Sequence, residues 1–176
     1  MLTIRPATIA DVPLLRRFIQ ELADYQGESQ SVLTTEADLA RDGFGPDPKF
    51  RAIIAEQDGA EQDGAEQDRQ PAGFAVFFIS YSTWAGSGIF LEDLFVRENF
   101  RGHGVGKALL AHLAEIALNE GHRAIRLDVL DWNESANNFY KSLGAEYLPQ
   151  WRNVIIGEEA LARLSRAKRT SSAGSS

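Results

Sequence analysis

Cysteine is absent from the 176-residue chain, which excludes disulfides and thiolate metal ligands. Its three histidines, His103, His112 and His122, have no metal-ligand spacing, so no metal is expected. No apolar run approaches the roughly 20 residues that cross a bilayer. The opening "MLTIRPAT" lacks a basic segment followed by a small-residue cleavage site, and the expectation is a cytoplasmic protein away from any membrane. Net positive charge is also lacking, since the formal balance is −7. Six of the 25 acids fall in residues 56–68, "EQDGAEQDGAEQD", and the other 19 face 18 bases. The folded body is therefore near neutral, without the basic field that nucleic-acid binding requires.

The length favours one domain with a core of adequate size, expected over residues 1–164. The acidic five-residue repeat is polar and punctuated by glycine, so residues 57–68 read as a flexible loop between two strands. Residues 165–176 read as a disordered tail.

"LTIRPA" is a short strand. Thr8 with Asp11 marks a helix start, followed by Val12, Leu15, Phe18, Ile19 and Leu22 at helical spacing. A shorter helix begins near Thr35 and stops at "DGFG". "FRAIIAE" and "AGFAVFFISYS" flank the repeat as a hairpin, and "IFLEDLFV" is the next strand. A long amphipathic helix carries Leu109, Leu110, Leu113, Ile116 and Ala117. "AIRLDVL" is a strand, "ESANNFYKSLGA" a helix and "WRNVIIG" a final strand. The order β-α-α-β-β-β-α-β-α-β describes an α/β protein of the α+β kind, with a mixed sheet flanked by helices.

Between the fourth strand and the long helix lies "NFRGHGVGKALLAHL". Alternating glycines let successive backbone N–H groups turn toward one point, without a Cβ in the way. The helix start adds its positive end, worth about 0.3–2 kcal/mol toward an anion, and Arg101 adds a fixed charge. A Walker loop would need glycine at Arg101 and a hydroxyl at Ala108. A dinucleotide fingerprint would need glycine at Lys107 and a first-strand position. Neither fits.

"FVRENFRGHGVGKALL" resembles the pyrophosphate motif of the GNAT superfamily of acyl-CoA N-acyltransferases. The resemblance runs from "IRPAT" to "WRNVIIG". Within the superfamily it is nearest to the diamine (polyamine and thialysine) acetyltransferases, through "DGFG", "YSTWAG", "LEDLFV" and "WNESANNFYKSLGA". It implies a mostly antiparallel mixed sheet, acetyl-CoA as co-substrate, a small amine as acceptor and a homodimer. Arg101, Gly102, His103, Gly104, Val105, Gly106 and Lys107 would hold the pyrophosphate. Leu94, Phe95 and Val96 would take the pantetheine arm like an added strand. Asn133 resembles a coenzyme-contacting position and also suits a helix N-cap, and the two roles are compatible.

Amine acetylation meets a protonation problem. A lysine-like amine with pKa near 10.4 is free in only about 1 of 2500 molecules at pH 7, a handicap of roughly 4.6 kcal/mol. A base or a desolvating pocket must offset it. Alternation puts Glu92 and Asp93 of "FLEDLFV" on opposite strand faces. By resemblance, Glu92 deprotonates the amine through water and Asp93 faces the substrate's positive charge. Tyr140 would stand near the thioester sulfur and give the leaving thiolate a proton, while Phe139 belongs to the core. Trp84 either lines the amine pocket or packs its loop, and Glu28 is a further candidate acid for the channel. Ser82, Pro149 and Gln150 stand where polyamine enzymes place acids, which favours a short diamine or lysine-like amino acid over spermine. Two other readings are an acyl-CoA sensor without catalysis and a transferase for protein or peptide amines.

Overall fold

The computed structural model describes residues 1–58 and 69–170. Five strands form one sheet in the order β1-β2-β3-β4-β5: Leu2–Pro6, Arg51–Asp58, Arg69–Ser82, Gly86–Val96 and Ile125–Leu127. The first three pairings are antiparallel and β4 pairs with β5 in parallel. Helices α1 (Val12–Gln26) and α2 (Glu36–Phe44) follow β1. Helix α3 (Val105–Asn119) precedes β5, and α4 (Glu134–Ser142) and α5 (Glu158–Thr170) follow it. The chain divides into two compact units, Met1–Asp128 and a second from Val129.

Local chemistry places the helix starts. The Thr8 N–H donates to the Asp11 carboxylate at 2.7 Å, across a one-turn 3-10 helix that leads into α1. Asp11 also takes a bidentate pair of bonds from Arg5, which in turn reaches Glu56 of β2. That guanidinium holds the Asp11 carboxyl down at about 2. At α2, Thr35 accepts from Asp38 N–H while Asp38 accepts from Thr35 N–H, the reciprocal cap. Gly43 does not break this helix, which runs on to Phe44 and ends at Gly45. A Cβ at Gly43 would lie 2.5 Å from the Phe50 ring, so the glycine serves close packing.

In the first unit, apolar side chains bury on both sheet faces. Val105, Leu109 and Leu113 of α3 pack on Ile53, Ala75, Phe77, Ile89 and Leu91. Leu15 and Phe18 of α1 pack on Ile54, Phe74, Val76 and Phe95, with Phe18 stacked on Phe74 at 5.0 Å. Each such side chain, fully buried, contributes about 1.5–3 kcal/mol.

The chain end departs from the expected order. "WRNVIIG" forms no strand, and Val154 and Ile155 are 80% and 85% exposed. Its β-branched run has strand propensity but no ladder partner, and propensity without pairing does not make a strand. The last element is instead α5. Residues 165–170, expected as disordered tail, continue that helix; residues 171–176 lie outside the described residues. Glu158 and Glu159 in its first turn suit the positive helix end, and Ala, Leu, Arg and Lys are good helix formers. Gln57 and Asp58, expected in the repeat loop, extend β2 opposite Gln70 and Arg69. The rest of the repeat, residues 59–68, lies outside the described residues.

Candidate active site

The glycine loop joins β4 to α3. Gly102 and Gly104 have φ of +78° and +82°, a left-handed backbone that side chains rarely adopt. A Cβ at either would meet nothing within 4 Å, so the space beside them is open. Gly104 is the N-cap of α3 and offers no side-chain cap. The first-turn amides of Val105, Gly106 and Lys107 are thus left for an external acceptor. The Val105 side chain is buried in the core, so it can serve the loop only through its backbone. Arg101, His103 and Lys107 are exposed around these amides. The residues present fit a pyrophosphate.

Two arginines set this loop against α1. Arg97 places Nε and Nη2 on the two Glu21 carboxylate oxygens at 2.8 and 2.7 Å. Its Nη1 donates to the Pro71 carbonyl, and its guanidinium lies over the Phe18 ring. Arg101 donates from Nε to the Val96 carbonyl at 2.9 Å and lies over Tyr25, 4.6 Å from the ring centre. Nothing in the sequence reading pointed to Glu21 and Arg97, because a pair 76 residues apart leaves no periodic signal.

Upstream, β4 is interrupted. Val76 pairs with Asp93 but Phe77 pairs with Leu91, so Glu92 is an extra residue, a β-bulge. Simple alternation therefore fails at this point. Asp93 shares the α1 face with Val76, while Leu91 and Leu94 serve the α3 face. Pairing with β5 also stops at Leu91–Leu127. The backbone of residues 92–96 on that side has no strand partner among the described residues. Leu94, Phe95 and Val96 hold this stretch by pairing with Ala75, Phe74 and Gly73 on the other side.

The two acids at the bulge differ sharply. Glu92 is exposed. Asp93 is half-buried, and burial, with the Glu92 charge adding, pushes its carboxyl up to about 6. Trp84 is 88% exposed at the β3–β4 turn, where its N–H donates to Ser82 Oγ. Glu28 follows the end of α1, and its carboxylate accepts from Ser31 Oγ.

In the second unit, Asn133 is the N-cap of α4, its side chain accepting from Ala136 N–H at 3.1 Å. Asn137 braces the preceding turn by donating to the carbonyls of Leu130 and Asn133. Tyr140 is buried beside Phe139, 5.3 Å between ring centres. Burial first, and then Tyr147, raise its phenol to about 12, so it is a protonated donor at neutral pH. Among the described residues no three histidines or acids converge as metal ligands.

Comparison with known proteins gives this geometry its class. Residues 19–145 match the Acetyltransferase (GNAT) family. Thialysine N-epsilon-acetyltransferase of Bos taurus is 38% identical over 165 residues, 92% of this chain and 96% of that protein. Spermidine/spermine N(1)-acetyltransferase-like protein 1 of Homo sapiens is 34% identical over 142 residues, covering 81% of this chain and 20% of that one. Among solved structures, an integron cassette protein from the V. cholerae mobile metagenome superposes with a TM-score of 0.71 at 25% identity, over 94% of this chain and 98% of that one. The chain belongs to the GNAT family of acetyltransferases. It is an acetyl-CoA-dependent N-acetyltransferase whose acceptor is an amine.

Proposed function

We propose that the acceptor is the primary amine of a small diamine or lysine-like amino acid, held at the β4 bulge. The observation that carries this reading is the coincidence at Glu92 of three features. The strand bulges there, β5 pairing ends there, and a half-buried acid follows on the α1 face. An exposed carboxylate at the bulge takes the amine's proton through water, offsetting the roughly 4.6 kcal/mol protonation handicap. Asp93 faces the substrate's positive charge, with Trp84 and Glu28 as further substrate residues. The loop 101–107 and the open edge at Leu94–Val96 hold acetyl-CoA, which supplies the acetyl group as a thioester. Asn133 contacts the coenzyme besides capping α4. Tyr140, kept protonated, donates to the leaving sulfur.

The family match crosses both compact units, which supports their serving one reaction as a single transferase domain. The thialysine acetyltransferase relatives support an acceptor of lysine size. Ser82, Pro149 and Gln150 bring no acid to the channel, so a short amine outpaces spermine in kcat/KM. A cytoplasmic homodimer completes the reading, and sedimentation as a monomer at micromolar concentration would remove the dimer.

The direct test is thiol release from acetyl-CoA across a panel of amines, amino acids and peptides. Short amines are expected to give the highest kcat/KM. Tight coenzyme A binding without transfer to any amine would replace this reading with that of a sensor. Tyr140→Phe is expected to lower kcat by about 10²–10⁴ with little change in coenzyme affinity. Wild-type kcat in a step shown to be chemistry would remove Tyr140 from the mechanism.

A further inference from the structure

Helix α1 carries two side chains that its core does not use. Val12, Leu15, Phe18 and Ala23 are its buried residues. Glu21 and Tyr25, four residues apart and so on one helix face, lie outside that set, and Tyr25 stays 41% exposed. Each meets an arginine from the segment that joins β4 to the glycine loop. Arg97 and Arg101 bracket the single 3-10 turn Glu98–Phe100. Arg97 engages both Glu21 carboxylate oxygens, and Arg101 lies over the Tyr25 ring.

Arg101 also reaches the open edge of β4. The Arg97 N–H donates to the Ala72 carbonyl on the β3 side at 2.9 Å. In a trans peptide the carbonyl points opposite to the N–H, so the Val96 carbonyl turns away from β3, toward the side without a strand partner. Arg101 Nε donates to that oxygen. Its ring contact and its Nε are thus engaged, while among the described residues its two Nη groups meet no acceptor. A guanidinium held this way presents a pair of donors on one edge, which matches a phosphate. Ordering a long side chain on binding costs rotamer freedom, and one already ordered has less to lose.

Gly102 and Gly104 bring no side-chain contacts of their own, so the loop is fixed by its neighbours. Arg97 sets the point from which it departs, held between Glu21 on α1 and the Pro71 carbonyl on β3. We propose that α1 positions the coenzyme loop, with Tyr25 aligning the Arg101 guanidinium for the pyrophosphate and Glu21 fixing the strand end through Arg97. The proposal rests on residues 101–107 being the pyrophosphate site. Glu21 and Tyr25 are positioning residues and touch no reacting atom.

Calorimetry with coenzyme A and acetyl-transfer kinetics test it. Tyr25→Leu should weaken coenzyme A binding about three- to tenfold and raise the KM for acetyl-CoA to match. Its kcat, its KM for the amine and its melting temperature should hold, and Tyr25→Phe, which keeps the ring, should restore affinity. Glu21→Gln should raise the KM for acetyl-CoA by about threefold or more, again without a fall in kcat. Adding Tyr25→Leu to Arg101→Gln should weaken binding no further, because Tyr25 acts through that guanidinium. S-acetylpantetheine, which has the thioester but no pyrophosphate, should serve the wild type and Tyr25→Leu equally well.

Additive losses in the double variant would overturn the proposal, and so would the same loss with S-acetylpantetheine. Wild-type coenzyme A affinity in Tyr25→Leu would overturn it while leaving the loop assignment intact, provided that Gly104→Val weakens binding. Unchanged affinity in Gly104→Val would remove the loop assignment itself, and this proposal with it.

Discussion

The two halves of β4 are built from similar residues and do different things. From Gly86 to Leu91 the strand pairs on both sides, with β3 and, at Ile89–Leu91, with β5. From Glu92 to Val96 it pairs on one side only, then runs into the glycine loop. Both halves bury apolar side chains against α3, Ile89 and Leu91 from one and Leu94 and Val96 from the other, so hydrophobicity does not distinguish them. The difference comes from one inserted residue. A bulge leaves a residue unpaired and bends and twists its strand. Here it coincides with the end of β5 pairing, turns Asp93 onto the α1 face and leaves a backbone edge open. In the proposed reading, the sheet becomes a transferase site where its ladder is interrupted.

Removing the insertion should have the largest effect. Deletion of Glu92 restores uninterrupted pairing and leaves Asp93, Leu94, Phe95 and Val96 opposite Val76, Ala75, Phe74 and Gly73, on the faces they already hold. Phe95 keeps its place against Phe18, so the loss of stability should be small beside the loss of activity. The kcat/KM should fall by more than about 10³, since the carboxylate and the bend in the strand are lost together. Glu92→Gln is the control: thiol release should slow by about 10²-fold or more while the melting temperature holds. A deletion variant with wild-type activity would erase the distinction between the halves.

Asp93 offers the next largest effect, on stability. Its folded pKa of about 6 lies above the unfolded value of about 3.8, so the native state binds the extra proton between those limits. Stability therefore falls as pH rises from about 4 through 6. The two-unit gap corresponds to at most about 3 kcal/mol at neutral pH. Asp93→Asn should recover much of that at pH 8 and little at pH 4, as seen by denaturant unfolding at both pH values. A gain independent of pH would mean that burial of the charge is not the cause.

Gly104→Val sharpens the contrast at the loop. A valine at φ +82° strains the backbone and puts a side chain into the open space beside the loop amides. Coenzyme A affinity should weaken ten- to hundredfold, about 1.4–2.8 kcal/mol, with a smaller loss of stability. Unchanged affinity by calorimetry would reject the loop as the pyrophosphate site.

The smallest effect is expected from the acidic repeat between β2 and β3. Deleting residues 60–67 should change stability by less than about 1 kcal/mol, since loop length enters closure entropy only logarithmically. The ion pair of Asp58 with the Met1 ammonium and the Arg5–Glu56 bonds are retained in that variant. A large loss of activity would give the repeat a part in the site.

Much of this was legible along the chain. Capping residues Thr8, Asp11, Thr35 and Asn133, the helical spacing of Leu109 and Leu113, and the strand runs are local signals, and the structure carries them. The glycine loop was readable for the same reason: φ sign and helix-end amides are properties of a few consecutive residues. Glu92 and Asp93 were recognised as a pair, yet their faces were assigned by alternation, which holds only in an unbroken ladder. "WRNVIIG" failed as a strand because a strand is half of a pair, and its partner is not written in its own residues.

By itself, then, the sequence determined the element types up to α4, the absence of cysteine chemistry, and a loop whose backbone can hold a pyrophosphate. These depend on side-chain shape and on neighbours within about one helical turn. Only the tertiary structure decided that Glu92 is the inserted residue, that Asp93 is buried enough to titrate near 6, and that Glu21 clamps Arg97. It also decided that Arg123 and Arg126 line one cleft at the β3–β4 turn. The physical reason is common to all four: register, desolvation and ion pairing are set by groups that approach through space, from strands and helices many residues apart.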